Sequence, residues 1–125
     1  INAGHESILV FDQNKNYEYI KSEMPPLGIV KYFTESMVKS STMDLKDKTL
    51  VVYTDGVTEG YLKNGEELGA EGVQKIVDNM SDVTPKNIVE SIEKELNWGA
   101  EKLRDDITCM AINIKNTELI KKVKK

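Results

Sequence analysis

The apolar residues of this chain recur with one period before Asp55 and with another from Val73 onward, and few folds accommodate that change. Ser7–Phe11 (SILVF) reads as a buried strand, and Tyr17–Ile20 reads as its partner across the polar turn Asp12–Asn16. Leu45–Lys48 turns the chain into a third strand, Thr49–Thr54. Between them, Met24-Pro25-Pro26-Leu27-Gly28 interrupts regular structure and re-aims the backbone. Ile29–Met37 mixes β-branched and aromatic residues and is expected to form another strand. Then Val73, Ile76, Val77 and Met80 fall on one face of a helix, and Ile88, Val89, Ile92 and Leu96 fall on one face of a second. Thr84 is the expected N-cap of that second helix, with Pro85 at its first position and Gly99 as its stop. Ile107–Ile114 (ITCMAINI) returns as a final strand. Strands, two helices and a returning strand predict an α+β fold, with helices covering a largely antiparallel sheet.

With 125 residues the chain is sized for one domain. Its single cysteine, Cys109, excludes an internal disulfide framework, suits a reducing cytoplasmic compartment and, among Ile107, Met110, Ala111 and Ile112, reads as inert packing. No apolar stretch approaches the roughly 20 residues that span a bilayer. No signal peptide opens the chain; Ile1 points to an upstream region, through which any membrane attachment is expected. Residues 1–114 carry 12 basic and 20 acidic side chains, a net of −8, whereas the segment from Lys115 holds five lysines against Glu118. An acidic body argues against nucleic acid as a partner, because phosphate backbones need clustered Lys and Arg. The lysine-rich stretch 115–125 reads as a solvated end.

Acids abut two strand ends. Asp55-Gly56 follows Thr49–Thr54 directly, and Asp105-Asp106 directly precedes the last strand. Strand ends of a folded sheet meet at a common rim, so these acids can become neighbours. Clustered carboxylates repel unless a hard cation lies between them, and oxygen ligands select Mg²⁺, Mn²⁺ or Ca²⁺. Gly56 would let other groups approach the backbone. Singly, Asp-Gly is a common turn dipeptide and Asp105-Asp106 an ordinary solvated strand entrance; the two sites carry weight together.

Five motifs occur in one order: Asn2-Ala3-Gly4-His5, Pro26-Leu27-Gly28, Tyr53-Thr54-Asp55-Gly56-Val57-Thr58-Glu59, Gly65-Glu66 with Leu68-Gly69, and Asp105-Asp106-Ile107-Thr108. In this the chain resembles the SpoIIE/RsbU-like bacterial branch of the PP2C (PPM) protein serine/threonine phosphatases, from Ile1 to about Ile114, covering the C-terminal half of their catalytic domain. The resemblance implies a PP2C-like β-sandwich of two antiparallel sheets with flanking helices, here in part. It implies metal ligation by Asp55 and Asp105, with Asp106 as an accessory ligand. It also implies two Mn²⁺ or Mg²⁺ ions at the rim and hydrolysis of phosphoserine or phosphothreonine by a metal-activated water. His5 is structural in this pattern. Glu59 orients the turn or faces solvent, and Asn2 bonds backbone near the rim. The helical region Gly65–Trp98 packs beside the active site and is linked to switching in sporulation-type relatives, although two amphipathic helices covering a sheet explain the same residues. Trp98 reads as a core anchor. Two departures, Glu6 for a common proline and Lys46-Asp47 for Gly-Asp, touch no implied ligand.

The relatives draw at least one bridging aspartate from the N-terminal half. The 125 residues alone are therefore expected to bind metal weakly and to lack turnover, and the truncated sheet is expected to leave an unpaired edge or a bare apolar face that favours self-association. The resemblance implies, as substrate of the intact parent, a phosphorylated regulator, an anti-sigma-factor antagonist of the STAS type. A non-catalytic, phosphatase-like binding module is the alternative, and an upstream Gly-Asp-x-x-Asp-like segment would separate the two.

Overall fold

The computed structural model describes residues 1–96 and 106–115. Four strands, β1 (Ile8–Phe11), β2 (Tyr17–Ile20), β3 (Lys48–Tyr53) and β4 (Cys109–Ile114), accompany three helices, α1 (Asp55–Thr58), α2 (Gly69–Asp78) and α3 (Pro85–Leu96). The strands form one sheet in the order β2-β1-β3-β4, antiparallel throughout. This is the expected α+β class; among the described residues there is one sheet, not the two of a complete sandwich. Asp105, Trp98, Gly99 and the lysines beyond Lys115 lie outside the described residues.

Alternation along β3 decides the layers. Thr49, Val51 and Tyr53 are buried, and the register sets Val51 against Leu9 and Thr49 against Phe11, so both strands send the same set of side chains to one face. Val73 and Val77 of α2 and Ile88, Ile92 and Leu96 of α3 close over that face, each removed from water. Each such side chain contributes about 1.5–3 kcal/mol through burial. The helical spacing read from the sequence therefore corresponds to real faces. The start of α3 matches as well, because the Thr84 hydroxyl accepts the Asn87 backbone N–H at 3.2 Å.

The opposite face is less covered. Val10, Leu50 and Ile112 stand in register on it, as do Val52 and Met110, yet Met110 is 50% and Ile112 39% exposed. An unpaired edge or a bare apolar face was expected; among the described residues this face is open where Met110 and Ile112 stand, while Val10 is fully buried. The segment expected as a strand over Ile29–Met37 is not one: it runs through turns and bends into a short 3₁₀ turn at Glu35–Met37. The reason is that strand propensity measures fit to a pleated, half-buried surface. No described strand lies alongside this segment, and Ile29 and Tyr32 remain 70% and 77% exposed.

The β1–β2 hairpin is latched to the end of α2. Lys15, held at φ 59°, extends its ammonium to the carbonyls of Val77 (3.0 Å), Asp78 (2.8 Å) and Met80 (3.3 Å). Those of Val77 and Asp78 are carbonyls that a helix C-terminus leaves without intrahelical donors, and a cation there also meets the negative end of the helix dipole. Tyr17 adds a hydroxyl bond to the Asp78 carboxylate at 2.6 Å, and Tyr19 one to Gln74 at 2.7 Å.

Lys15→Met keeps the aliphatic stem and removes the ammonium; it is expected to lower unfolding free energy by about 1–2 kcal/mol in urea titrations. Alkaline pH acts on the core directly. Burial pushes the Cys109 thiol from an ordinary 9 up to about 11 and the Tyr53 phenol from 10 up to about 12. The unfolded chain releases these protons first, so the stability they contribute is complete below pH 9 and is lost as pH rises through 11 and 12. Urea midpoints are expected to fall between pH 9 and 11, and Cys109→Ala to flatten that fall.

Candidate functional site

Strand β3 ends where its side chains stop bonding along the ladder and start bonding across the rim. Thr54 is extended (φ −84°, ψ 167°) and donates its backbone N–H to the Thr108 carbonyl at 3.0 Å. Its hydroxyl oxygen accepts the Thr108 backbone N–H at 3.2 Å and donates toward the Asp106 carbonyl at 3.4 Å. Thr54 stands in the N-cap position of α1, but its hydroxyl makes no capping bond there; it is engaged by the neighbouring chain. These bonds replace regular ladder pairing, which is why β4 begins at Cys109 and not at the expected Ile107.

Asp55 opens the single turn of α1 and is exposed. Its carboxylate accepts its neighbour's N–H, from Gly56, at 3.0 Å. Its carbonyl closes the turn by accepting the Glu59 N–H at 2.7 Å and the Thr58 hydroxyl at 3.2 Å. Glu59 thus ends α1 through its backbone, and its side chain faces solvent. The turn at Asp-Gly is a helical one, with no left-handed residue, and Gly56 serves the other expected purpose, the close approach of another group to its backbone. A Cβ at Gly56 would overlap the Asp106 carbonyl oxygen. The backbones of Gly56 and Asp106 are in contact.

Asp55 and Asp106, 51 positions apart in sequence, therefore stand on one rim, both exposed. Two carboxylates so placed are hard oxygen donors of the kind that hold Mg²⁺ or Mn²⁺. Among the described residues no group of three or more His, Cys, Asp or Glu is positioned to hold a metal. The donor chemistry fits a divalent ion, and its number fits part of a site.

Two further motifs lie at the same end of the sheet, before β1 and after β2. Asn2 is buried, donates to the carbonyls of Glu6 (3.1 Å) and Ile20 (3.2 Å), and accepts the His5 N–H (3.0 Å). Gly4, at φ 77°, packs so closely on Pro26 that a Cβ would overlap the proline ring, and its N–H reaches the Ser22 hydroxyl at 2.6 Å. The Asn-Ala-Gly-His and Pro-Leu-Gly motifs thus brace one another. His5 is exposed and its ring meets the adjacent Glu6 carbonyl at 3.1 Å, a local contact with no tie to Asp55. Cys109 lies half-buried against the core with its thiol held protonated, away from any nucleophilic role. Sequence reading gave no role to Thr54 and Thr108, which form the strap across the rim. Their signal was a threonine placed next to each acidic motif.

The profile of the stage II sporulation protein E (SpoIIE) family matches residues 1–115. No curated protein matches the chain. Solved structures share its fold. The phosphatase domain of the cell fate determinant SpoIIE from Bacillus subtilis, in a manganese-presoaked form, is 18% identical with a TM-score of 0.62 over 91% of this chain and 48% of that one. The SiaA-PP2C domain of Pseudomonas aeruginosa is 18% identical with a TM-score of 0.61, over 90% of this chain and 44% of that one. The RsbU and RsbW domains of Rv1364c from Mycobacterium tuberculosis align over 90% of this chain and 31% of theirs, at 20% identity and a TM-score of 0.53. The chain spans less than half the length of each.

Gly56→Ala is expected to separate the rim: the added methyl meets backbone, not a movable side chain, so the melting temperature falls by several degrees and the Thr54–Thr108 amides lose hydrogen-exchange protection. Gly65→Ala, where a Cβ would meet nothing within 4 Å but φ is 85°, should cost only the strain of that backbone angle and leave rim protection intact.

Proposed function

The chain belongs to the stage II sporulation protein E (SpoIIE) family, whose structural neighbours are PP2C-type phosphatase domains, and we propose that its intact parent hydrolyses phosphoserine or phosphothreonine on a regulatory protein. The observation that carries this reading is the contact of Gly56 with the Asp106 backbone, which sets Asp55 and Asp106 on one sheet rim.

Asp55 and Asp105 would hold Mn²⁺ or Mg²⁺, with Asp106 as an accessory ligand and the remaining carboxylates supplied by the other half of the domain. Such ions, when bound, lower the pKa of a coordinated water and draw charge from the phosphoryl oxygens. The chain's own contribution is geometric. Thr54 and Thr108 hold the two acid-bearing segments at fixed separation, and α1 turns Asp55 outward by binding its carbonyl from below. No nucleophilic side chain is required of this half, in keeping with the protonated, half-buried state of Cys109.

The resemblance to the RsbU-like branch supports an anti-sigma-factor antagonist of the STAS type as substrate and a cytoplasmic site of action. No described helix is long and apolar enough to cross a membrane. The described residues gather too few ligands for a binuclear site, and the exposed Met110 and Ile112 support packing against the other half, or self-association in its absence. A non-catalytic binding module is the second reading; the retained Asp55 and Asp105 favour the enzyme.

The test is phosphate release from a phosphoserine protein by the intact parent. Turnover should require Mn²⁺ or Mg²⁺ and drop at least about 100-fold in Asp55→Asn and Asp105→Asn, while the 125-residue chain alone releases none. Metal-independent turnover, or full activity in Asp55→Asn, would sink the assignment.

A further inference from the structure

The hairpin that joins α1 to α2 carries an asparagine in a reactive setting. Tyr61 and Glu67 form an antiparallel bridge, and the chain reverses between them. The Leu62 N–H bonds the Glu66 carbonyl at 2.8 Å, and the Gly65 N–H bonds the Leu62 carbonyl at 2.9 Å. Gly65 takes φ 85°, and a Cβ there would meet nothing within 4 Å, so the space over its backbone is open. Residues 63–67 are exposed.

Asn64 is the one asparagine of the chain followed by glycine. Its side chain is held at both ends by Glu66. The Glu66 N–H donates to Oδ1 at 3.0 Å, and Nδ2 donates to the Glu66 carboxylate at 2.8 Å. An N–H aimed at a carbonyl oxygen stabilises the negative charge that gathers there when a nucleophile adds to the carbon. The nitrogen nearest in the chain is that of Gly65, and it carries no side chain to block the approach. By contrast Asn16, Asn87 and Asn113 precede the bulky Tyr17, Ile88 and Ile114, and the buried Asn2 is fixed by bonds to Glu6, Ile20 and His5.

We propose that Asn64 is a site of spontaneous deamidation, with the Gly65 nitrogen as nucleophile and water as co-reactant. That nitrogen loses its proton to solvent base and bonds to the Asn64 Cγ. The Cγ–Nδ2 bond breaks, Nδ2 leaves as ammonia with a proton from solvent, and a succinimide ring closes. Water then opens either ring C–N bond, giving aspartate or, with the main chain rerouted through the side chain, isoaspartate. The net change is water in and ammonia out, with nothing oxidised or reduced. In the folded turn the Gly65 N–H is bonded to Leu62, so the step waits on local opening of the hairpin. Afterwards a carboxylate faces Glu66 where Nδ2 had donated to it, and like charges repel. The connection between α1 and α2 thereby gains a charge and loses a latch.

The experiment incubates the 125-residue chain at neutral and mildly alkaline pH and follows the tryptic peptide 64–75 by mass spectrometry, with isoaspartate separated from aspartate by retention time. Asn64 is expected to convert before every other asparagine, faster as pH rises, and to give both products. Gly65→Ala is expected to slow conversion at least about tenfold. Urea sufficient to unfold the chain is expected to speed it several-fold. In the converted chain the Leu62 and Gly65 amides lose hydrogen-exchange protection, whereas the Thr54 and Thr108 amides keep theirs. Another asparagine converting first, aspartate without isoaspartate, or a rate indifferent to Gly65→Ala would overturn the proposal. A rate unchanged on unfolding would remove the hairpin's control of it.

Discussion

A single backbone contact organises the acid-bearing rim. At Gly56 the chain leaving β3 touches the carbonyl of Asp106, on the chain entering β4, with no room for a side chain between them. Around that contact the Thr54 and Thr108 main chains and the Thr54 hydroxyl exchange bonds of 3.0 and 3.2 Å. Buried or half-buried backbone groups need partners, and here they find them across the rim instead of in a regular ladder. The exposed carboxylate of Asp55 is thereby mounted on a support that does not depend on its own side-chain bonds.

That support is set by the core behind it. Leu9, Val51 and Tyr53 share a face with the apolar stripes of α2 and α3, so sheet and helices fix each other's height. The exit of α1 is tied into the same body, because the Leu68 N–H bonds the Gly60 carbonyl at 2.8 Å and the Leu96 side chain lies against Gly60. At the opposite end, Lys15 holds the hairpin to the last carbonyls of α2. The helices therefore do two jobs with one set of contacts: they cover the sheet and they fix the segment that carries the candidate ligand.

The other face of the sheet has a different character. Met110 and Ile112 stand open on it, and the loop crossing from β2 to β3 leaves Leu27, Ile29 and Tyr32 exposed. A chain that spans under half of its structural neighbours meets this condition naturally. The residues of Ile29–Met37 have strand-like chemistry, and what they lack among the described residues is a strand to pair with. Local preference without a partner surface leaves a loop.

What could be read from the sequence was whatever is decided within a turn or two of chain. The 3.6-residue stripes of Val73–Met80 and Ile88–Leu96, the alternation of Thr49–Tyr53, the Thr84 cap and the break at Pro25-Pro26 all depend on near neighbours, and all stand in the structure. The acids of the candidate site were visible too, as residue types next to strand ends. Tertiary structure alone decided that Asp55 and Asp106 share a rim, that the group approaching Gly56 is the Asp106 carbonyl, and that the Asn2–His5 and Pro26–Gly28 motifs brace each other through Gly4. Each of these joins residues about 20 to 50 positions apart, and no local rule ranks such pairings. They follow from which apolar faces meet, and that is settled only when the whole core closes.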